Sequence, residues 1–218
     1  MNIKRRIKNN IISILNKIRV FCEHLGYVKR RFITPKLPKN SDGKVYVNLG
    51  CGANTSGEFI NIDTRPMPHI HHIHEVEELP MIATNSVDLL HVSHLLEHVP
   101  RDKVPATLKE WYRVLKKGGV LRFGVPDFDN LIEIYKISGN DVHSIVNQLM
   151  GKDAPYDDHH TIWNFTYAKQ ILESTGFKKV RLWDVNKVEH YSFSDKSRSV
   201  RKIGDKEILI SLNVEATK

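Results

Sequence analysis

Strand and helix patterns alternate through most of this 218-residue chain, from Lys44 onwards. Short β-branched, apolar runs such as Val45 to Leu49 and Phe59 to Asp63 predict strands, and segments with apolar residues every three or four positions predict helices. Such alternation indicates a parallel sheet with helical crossover connections. We therefore predict one α/β domain at residues 44–218.

The same periodicities place the other elements of this domain. Strands are predicted at Val87 to Val92, Val120 to Val125, Lys179 to Val185 and Glu207 to Val214, and helices at Val104 to Leu115, Phe128 to Ile137 and Thr166 to Ser174.

Residues 1–43 differ from the rest in charge and pattern. Residues 1–40 carry eleven Lys or Arg and one acidic residue, a local charge of +10, which leaves −2 of the total +8 for the remainder. Apolar residues recur at helical spacing through residues 3–25, and Pro35 to Gly43 resembles a linker. A basic amphipathic helix of this kind either binds an anionic membrane or a partner protein, or packs on its own domain. The slightly negative domain lacks the basic patch of a nucleic-acid reader, so no nucleic-acid substrate is expected.

The cysteines and the lengths of the apolar runs indicate the cellular compartment in which the protein is expected. The two cysteines, Cys22 and Cys51, have no metal-binding spacing. The longest apolar run of the basic segment, Ile11 to Leu15, is too short for a signal peptide or a membrane span. We expect a cytoplasmic protein, at most peripheral to a membrane.

Seven short motifs follow one another through the domain. They are Val47-Asn48-Leu49-Gly50-Cys51-Gly52, Asn61-Ile62-Asp63, Glu75 to Pro80, Ser86-Val87-Asp88, His94 to Val99, Glu110 to Gly119 and Ser174 to Phe177. In order and spacing they resemble the motifs of class I S-adenosylmethionine (SAM)-dependent methyltransferases. The resemblance covers about residues 44–218. It implies a Rossmann-like α/β fold with a mostly parallel seven-stranded sheet and an antiparallel last strand.

The resemblance implies a SAM site at the carboxyl ends of the strands, where open α/β sheets bind ligands. Gly50 and Gly52 lack side chains, so their backbone can approach the methionine portion. Asp63 is placed to accept hydrogen bonds from both ribose hydroxyls. Glu75 takes the place of the acid that contacts the adenine amino group, with Val76 beside the ring. The expected cofactor contacts are completed by Asn48, Cys51, Ser93 and His94.

Two features depart from the usual pattern of that superfamily. Asn48 stands where Asp is usual, which keeps an acceptor and loses the charge. Few residues separate Gly52 from the strand at Phe59, so the first crossover helix is expected to be shortened. A dinucleotide-binding fold would lose more from this, because it needs a third glycine and a helix N-terminus for the pyrophosphate.

The acceptor side indicates oxygen chemistry. The segment Val92 to Leu95 lacks the Asn/Asp-Pro-Pro-Tyr/Phe motif of nitrogen methylation, and it holds no cysteine for cytosine C5 chemistry. A hydroxyl acceptor must lose a proton, and histidine suits that task near neutral pH. His160 is the leading candidate base, supported by His98. Asp127, after Val125-Pro126, is a second candidate that either binds the acceptor or caps the next helix.

A metal-assisted version of this site is also predicted. His94, Glu97 and His98 would share one helix face at i, i+3 and i+4. With a later histidine, they resemble certain metal-dependent O-methyltransferases, including small-RNA 2′-O-methyltransferases. This implies a divalent ion, Mn²⁺ or Mg²⁺, held by His94, Glu97, His98 and His160. The alternative is that these residues serve packing and hydrogen bonding, as in metal-free relatives. The histidines within residues 69–74 are interpreted as a solvated strand edge.

Other functions fit parts of the sequence. His94-x-x-Glu97-His98 also matches the inverted zinc-peptidase signature, which requires a long helix. A methyltransferase-like module that acts mainly in binding is a further alternative. Within the superfamily, the segments Ser93 to His98 and Leu121 to Asp127 look most like a compact group associated with surface-polysaccharide synthesis. That resemblance implies a sugar hydroxyl of a glycan or nucleotide sugar as the acceptor.

Overall fold

The computed structural model describes residues 25–30, 32–54, 56–152, 157–187 and 195–218. The amphipathic helix predicted over residues 3–25 lies, except for its last residue, outside this part of the chain, as does Cys22. No helix among the described residues is long and apolar enough to cross a membrane.

A seven-stranded sheet forms the centre of the domain, with strand order β3-β2-β1-β4-β5-β9-β6. Its strands are β1 (Tyr46–Leu49), β2 (Phe59–Asp63), β3 (His72–Ile73), β4 (Val87–Ser93), β5 (Leu115–Pro126), β6 (Lys178–Leu182) and β9 (Ser211–Thr217). Strands β1 to β5 pair in parallel, whereas β9 runs antiparallel to both β5 and β6. This confirms the predicted mostly parallel sheet with an antiparallel last strand.

The described part of the domain contains the helices α1 (Val104–Val114), α2 (Phe128–Ile137), α3 (Val146–Met150) and α4 (Phe165–Thr175). Two of them begin with a side-chain cap. The Asn164 side chain caps α4 by accepting from the Tyr167 amide, and Gly176, with φ of 113°, ends it in the left-handed region. Asp127 caps α2 in the same way by accepting from the Asp129 amide.

The main core packs α1 and α4 against one face of the sheet. Trp111 of α1 is fully buried there, and its Nε1 donates to the Val76 carbonyl at 2.9 Å. Complete burial of a large apolar side chain contributes roughly 1.5 to 3 kcal/mol. This core fixes the strands whose carboxyl ends carry the candidate site.

The opposite face of the sheet holds a buried ion pair that the sequence did not predict. His91 of β4 contacts Asp195 at 2.8 Å between Nε2 and Oδ2, and both side chains are buried. Burial opposes ionisation of Asp195, but the hydrogen bond and charge of His91, with the Ser197 hydroxyl, lower the pKa of Asp195 to about 2. The pair ties the segment before Val200 to the centre of the sheet.

Some predicted elements differ from the structure. The predicted strand Glu207 to Val214 is two strands: β8 (Lys206–Leu209), which forms a hairpin with β7 (Val200–Ile203), and β9. The chain changes partners at Ile210, whose carbonyl accepts from the Asp127 amide at 2.8 Å. Strand β5 begins at Leu115, before the predicted Val120, because Leu115 already pairs with Val87. Between β1 and β2, none of the described residues is helical, in line with the shortened first helix.

Described residues before β1 contact the domain instead of extending from it. Residues 25–30 are helical. Arg30 donates to the carbonyls of Ile70 and His71, and Tyr27 packs on a small cluster that includes Ile70 and Cys51. The domain boundary at residues 43 and 44 stays a prediction.

Candidate functional site

A glycine turn follows β1 at the carboxyl edge of the sheet. Gly50 and Gly52 have φ of 57° and 56°, in the left-handed region that favours glycine. The Gly50 amide donates to the Ile62 carbonyl at 2.8 Å, which ties the turn to β2. A Cβ at Gly50 would lie 2.6 Å from Leu95 Cδ1. The turn is thus packed directly against the segment that follows β4.

Asp63, at the end of β2, points its buried carboxylate at this turn. Its Oδ2 accepts from the Gly52 amide at 2.8 Å, and the Arg65 guanidinium donates to both carboxylate oxygens at 3.0 and 3.1 Å. Burial opposes the charge, but the Arg65 hydrogen bonds and the Gly52 amide outweigh it and hold the pKa of Asp63 below its ordinary value. The carboxylate is ionised and held in a fixed orientation. The sequence did not predict Arg65 as its partner.

Other predicted cofactor residues line the same edge. The Nδ2 atom of Asn48 and the Oγ atom of Ser93 are buried and lack hydrogen-bond partners among the described residues. Burial raises the pKa of the Cys51 thiol to about 12, so it stays neutral and is no nucleophile. The Nε2 atom of His69 lies 2.9 Å from the carbonyl oxygen of Gly52. This edge therefore offers polar groups that a bound ligand could satisfy.

Glu75 and Val76 lie in the segment after β3. Glu75 is exposed, whereas Val76 is only 6% exposed and packs in the main core. Their predicted contacts with adenine stay predictions. The nearby histidine tract is only partly solvated. His71 is buried, and its Nδ1 accepts from the Asn61 amide at 2.9 Å, so the interpretation of a solvated strand edge is wrong for this residue.

The His94-to-His98 segment turns sharply after β4. Only Leu96–His98 form a short 3-10 helix, and His94 has φ of 50°. His94 Nδ1 lies 3.1 Å from Glu97 Oε1, and its Nε2 lies 3.1 Å from Ser211 Oγ. The helical face predicted for these residues is therefore wrong, although His94 and Glu97 do meet. An inverted zinc-peptidase site needs a long helix here, so this alternative does not fit the structure.

Glu97 is a buried carboxylate at the base of this turn. Its side chain is 1% exposed, and its Oε2 has no hydrogen-bond partner among the described residues. Burial opposes its ionisation, but the hydrogen bond and charge of His94, with the charge of His98, hold the pKa of Glu97 below its ordinary value. A charged, incompletely satisfied carboxylate inside a protein is costly unless a cation or donor compensates it.

His159, and not His160, joins Glu97 and His98. One carboxylate oxygen of Glu97 and one ring nitrogen each of His98 and His159 all lie within 4.8 Å of one another. His160 is exposed, and its backbone amide donates to the Glu97 carbonyl at 2.8 Å. The predicted ligand set of His94, Glu97, His98 and His160 is therefore corrected: the structure groups Glu97 and His98 with His159, His94 contacts Glu97, and the His160 side chain is exposed.

Asp127 lies at the end of β5, where it caps α2. It is half-buried, and this burial raises its pKa above the ordinary value despite the amide of Asp129. Its backbone forms an isolated bridge with Trp163, close to the segment of His159 and His160. The helix-cap alternative is confirmed, and contact with an acceptor stays a prediction.

Comparisons with known proteins agree with this fold. Residues 48–123 match the family model described as a methyltransferase domain. A SAM-dependent methyltransferase from Archaeoglobus fulgidus shares the fold at 16% identity, with a TM-score of 0.50, over 80% of this chain and 86% of its own. Another, from Thermotoga maritima, has 18% identity and a TM-score of 0.51, over 94% and 96%. No curated protein matches the chain. The chain is thus similar to a methyltransferase domain over residues 48–123, and it shares its fold with these two SAM-dependent methyltransferases.

Proposed function

We propose that this domain transfers the methyl group of SAM to a hydroxyl oxygen, in a sugar of a glycan or nucleotide sugar. The observation that carries the proposal is that His98 and His159 meet at Glu97, directly after Leu95, which packs against Gly50 of the glycine turn. A sugar hydroxyl is a weak nucleophile at neutral pH, so its proton must leave as the methyl group arrives. Histidines meet that need.

The described residues fit SAM as the cofactor. Asp63 offers an ionised carboxylate beside the glycine turn, and Asn48 and Ser93 offer buried polar atoms that lack partners among the described residues. When bound, SAM supplies an electrophilic methyl group on a sulfonium sulfur. We assign the ribose to Asp63, the methionine portion to the residues of the glycine turn with Ser93 and His94, and the adenine to Glu75 and Val76.

His160 is the proposed general base. Its exposed side chain is open to an acceptor, while its backbone is anchored to the Glu97 carbonyl. Thr161 and Trp163 strengthen this anchor, because Trp163 Nε1 donates to Thr161 Oγ1 at 2.8 Å. Loss of a positioned base typically lowers the rate by about 10² to 10⁴. Asp127, at the neighbouring strand end, is proposed to orient a second hydroxyl of the sugar.

The test is incubation with methyl-labelled SAM and a panel of nucleotide sugars, glycans, amines and thiols, followed by mass spectrometry. We expect label in a sugar methyl ether, and strongly reduced turnover in a folded His160→Ala variant. Label only on nitrogen, sulfur or carbon would contradict oxygen transfer. SAM binding without transfer to any acceptor would favour a binding module, and wild-type turnover in His160→Ala would remove the assigned base.

A further inference from the structure

We infer that Glu97, His98 and His159 form a binding site for a divalent transition-metal ion. The three side chains come from two segments about sixty residues apart, and they offer one carboxylate oxygen and two imidazole nitrogens within 4.8 Å. This donor set of two histidines and one glutamate is one that zinc uses at catalytic sites, where it leaves coordination positions open.

The histidines are oriented for metal binding by their outer hydrogen bonds. His98 Nδ1 lies 3.0 Å from the Asp158 carbonyl, and His159 Nδ1 lies 2.9 Å from the Gln148 carbonyl. A carbonyl oxygen only accepts, so each Nδ1 carries the proton and each Nε2 keeps its lone pair. Metal-binding histidines characteristically donate their second nitrogen to a carbonyl or carboxylate in this way.

The burial of Glu97 is a second, independent observation that favours a bound cation. Its side chain is almost fully buried, and its Oε2 lacks a hydrogen-bond partner among the described residues. A nearby cation would satisfy this oxygen. Asp157 adds a further carboxylate, with Oδ1 4.0 Å from His98 Nε2.

The donor atoms also decide the class of ion. Mg²⁺ favours oxygen ligands and keeps several waters, so two imidazoles disfavour it. Imidazole with carboxylate suits Zn²⁺ and its first-row neighbours. The expectation of Mg²⁺ is therefore replaced by an ion of the zinc type, and Mn²⁺ is expected to bind more weakly.

The location gives the ion a role that rests on the proposed function. Leu95 packs against Gly50 and directly precedes the short helix that carries Glu97 and His98. The ion site therefore adjoins the glycine turn. A bound ion there would lower the pKa of a coordinated hydroxyl and so assist its deprotonation.

Calorimetric titration of the EDTA-treated, dialysed chain with Zn²⁺ alone tests the site without any methyl transfer. We expect one zinc per chain, and a loss of affinity greater than about 100-fold in His98→Ala and in His159→Ala, which exceeds the usual effect of removing an outer partner. The exposed His143→Ala is the matched control, and His160→Ala separates this ligand set from the sequence-based one; both should bind like wild type.

Absence of zinc binding by the wild-type chain, or unchanged affinity in folded His98→Ala and His159→Ala, overturns the site. X-ray absorption of the zinc-loaded wild type provides a measurement that needs no variant. Two imidazole nitrogens at about 2.0 to 2.1 Å are expected, and a spectrum without them contradicts the assignment. Neither readout depends on SAM, so this inference and the proposed function can fail separately.

Discussion

At the scale of single residues, the proposed cofactor site is organised around one carboxylate. Asp63 is engaged by the Gly52 amide and by the guanidinium of Arg65, whose side chain is 59% exposed. The guanidinium satisfies the same carboxylate that the ribose hydroxyls of SAM are proposed to use. In this proposal Arg65 competes with the cofactor, and its exposure allows it to move away.

Replacing Asp63 by Ala is expected to weaken SAM binding by about 1.5 to 3 kcal/mol, the usual contribution of a hydrogen bond to a charged group. The matched variant Arg65→Ala keeps the carboxylate and removes its competitor, so it should bind SAM at least as tightly as wild type. Calorimetry measures both. Equal affinity of Asp63→Ala and wild type would show that the ribose lies elsewhere.

Some single residues of the candidate site could be predicted from the sequence, and others could not. Asp63 and Gly50 were predictable because each occupies a motif position whose chemistry is fixed by the strand end before it. Arg65 and His159 were not, because their roles depend on side-chain direction. His159 and His160 are adjacent in sequence, yet one is turned towards Glu97 and the other towards solvent.

At the scale of elements, the segment that carries His159 depends on a close backbone contact. Gly151 ends α3 with φ of 83°, and a Cβ there would lie 1.5 Å from the Asp157 carbonyl oxygen. No side chain fits without displacing the chain that leads to His159. This contact gives Gly151 a role in the proposed metal site.

Gly151→Ala is therefore expected to lower the free energy of unfolding and to abolish zinc binding. Gly139→Ala is the control, because Gly139 has a similar φ of 76° and open space around it. Gly139→Ala should lower the free energy of unfolding by only about 1 to 2 kcal/mol, which is the cost of placing alanine in the left-handed region. It should leave zinc binding intact. Urea unfolding and zinc titration compare them, and equal behaviour of the two variants would refute the proposed contact.

A second prediction at this scale concerns the buried His91 and Asp195 pair. Asp195→Ala leaves His91 without this partner, and breaking a buried pair costs about 3 to 5 kcal/mol. The exposed pair of Asp184 with Lys187 is the control, and Asp184→Ala should change the free energy of unfolding far less. Urea unfolding at pH 7 provides both values.

The same pair has a defined pH signature. The folded-state pKa of Asp195, about 2, lies below its ordinary value near 4. Its stabilisation is therefore complete above pH 4 and fades as the pH falls through 2. Asp195→Ala should lose this part of the pH dependence, and an unchanged acid profile would contradict the ion pair.

Element types were more predictable than element boundaries. Most strands and helices follow from apolar periodicity, which reflects burial on the sheet. The division into two strands at Ile210 could not be predicted in this way. Apolar alternation continues without a break from Ile208 to Val214, although the chain pairs with β7 before Ile210 and with β5 after it. Which strand pairs with which depends on contacts between distant parts of the chain, and local periodicity carries no information about them.

At the scale of the whole molecule, charge and fold are divided between two parts. Residues 1–40 carry the excess of basic residues. The described residues 25–43 pack against the domain near Cys51, through Arg30 and Tyr27. Binding of the basic segment to a membrane or a partner protein stays a prediction. The domain itself presents its candidate residues along one edge of the sheet, as expected for an open α/β fold.

The most direct test of this account is a crystal structure of the full chain with S-adenosylhomocysteine, the product of methyl transfer. It should show both ribose hydroxyls on the Asp63 carboxylate, Arg65 turned away from it, and the sulfur facing the segment from Ser93 to His98. A ligand bound elsewhere, or one bound here while Arg65 keeps both Asp63 oxygens, would contradict the assignment of the site.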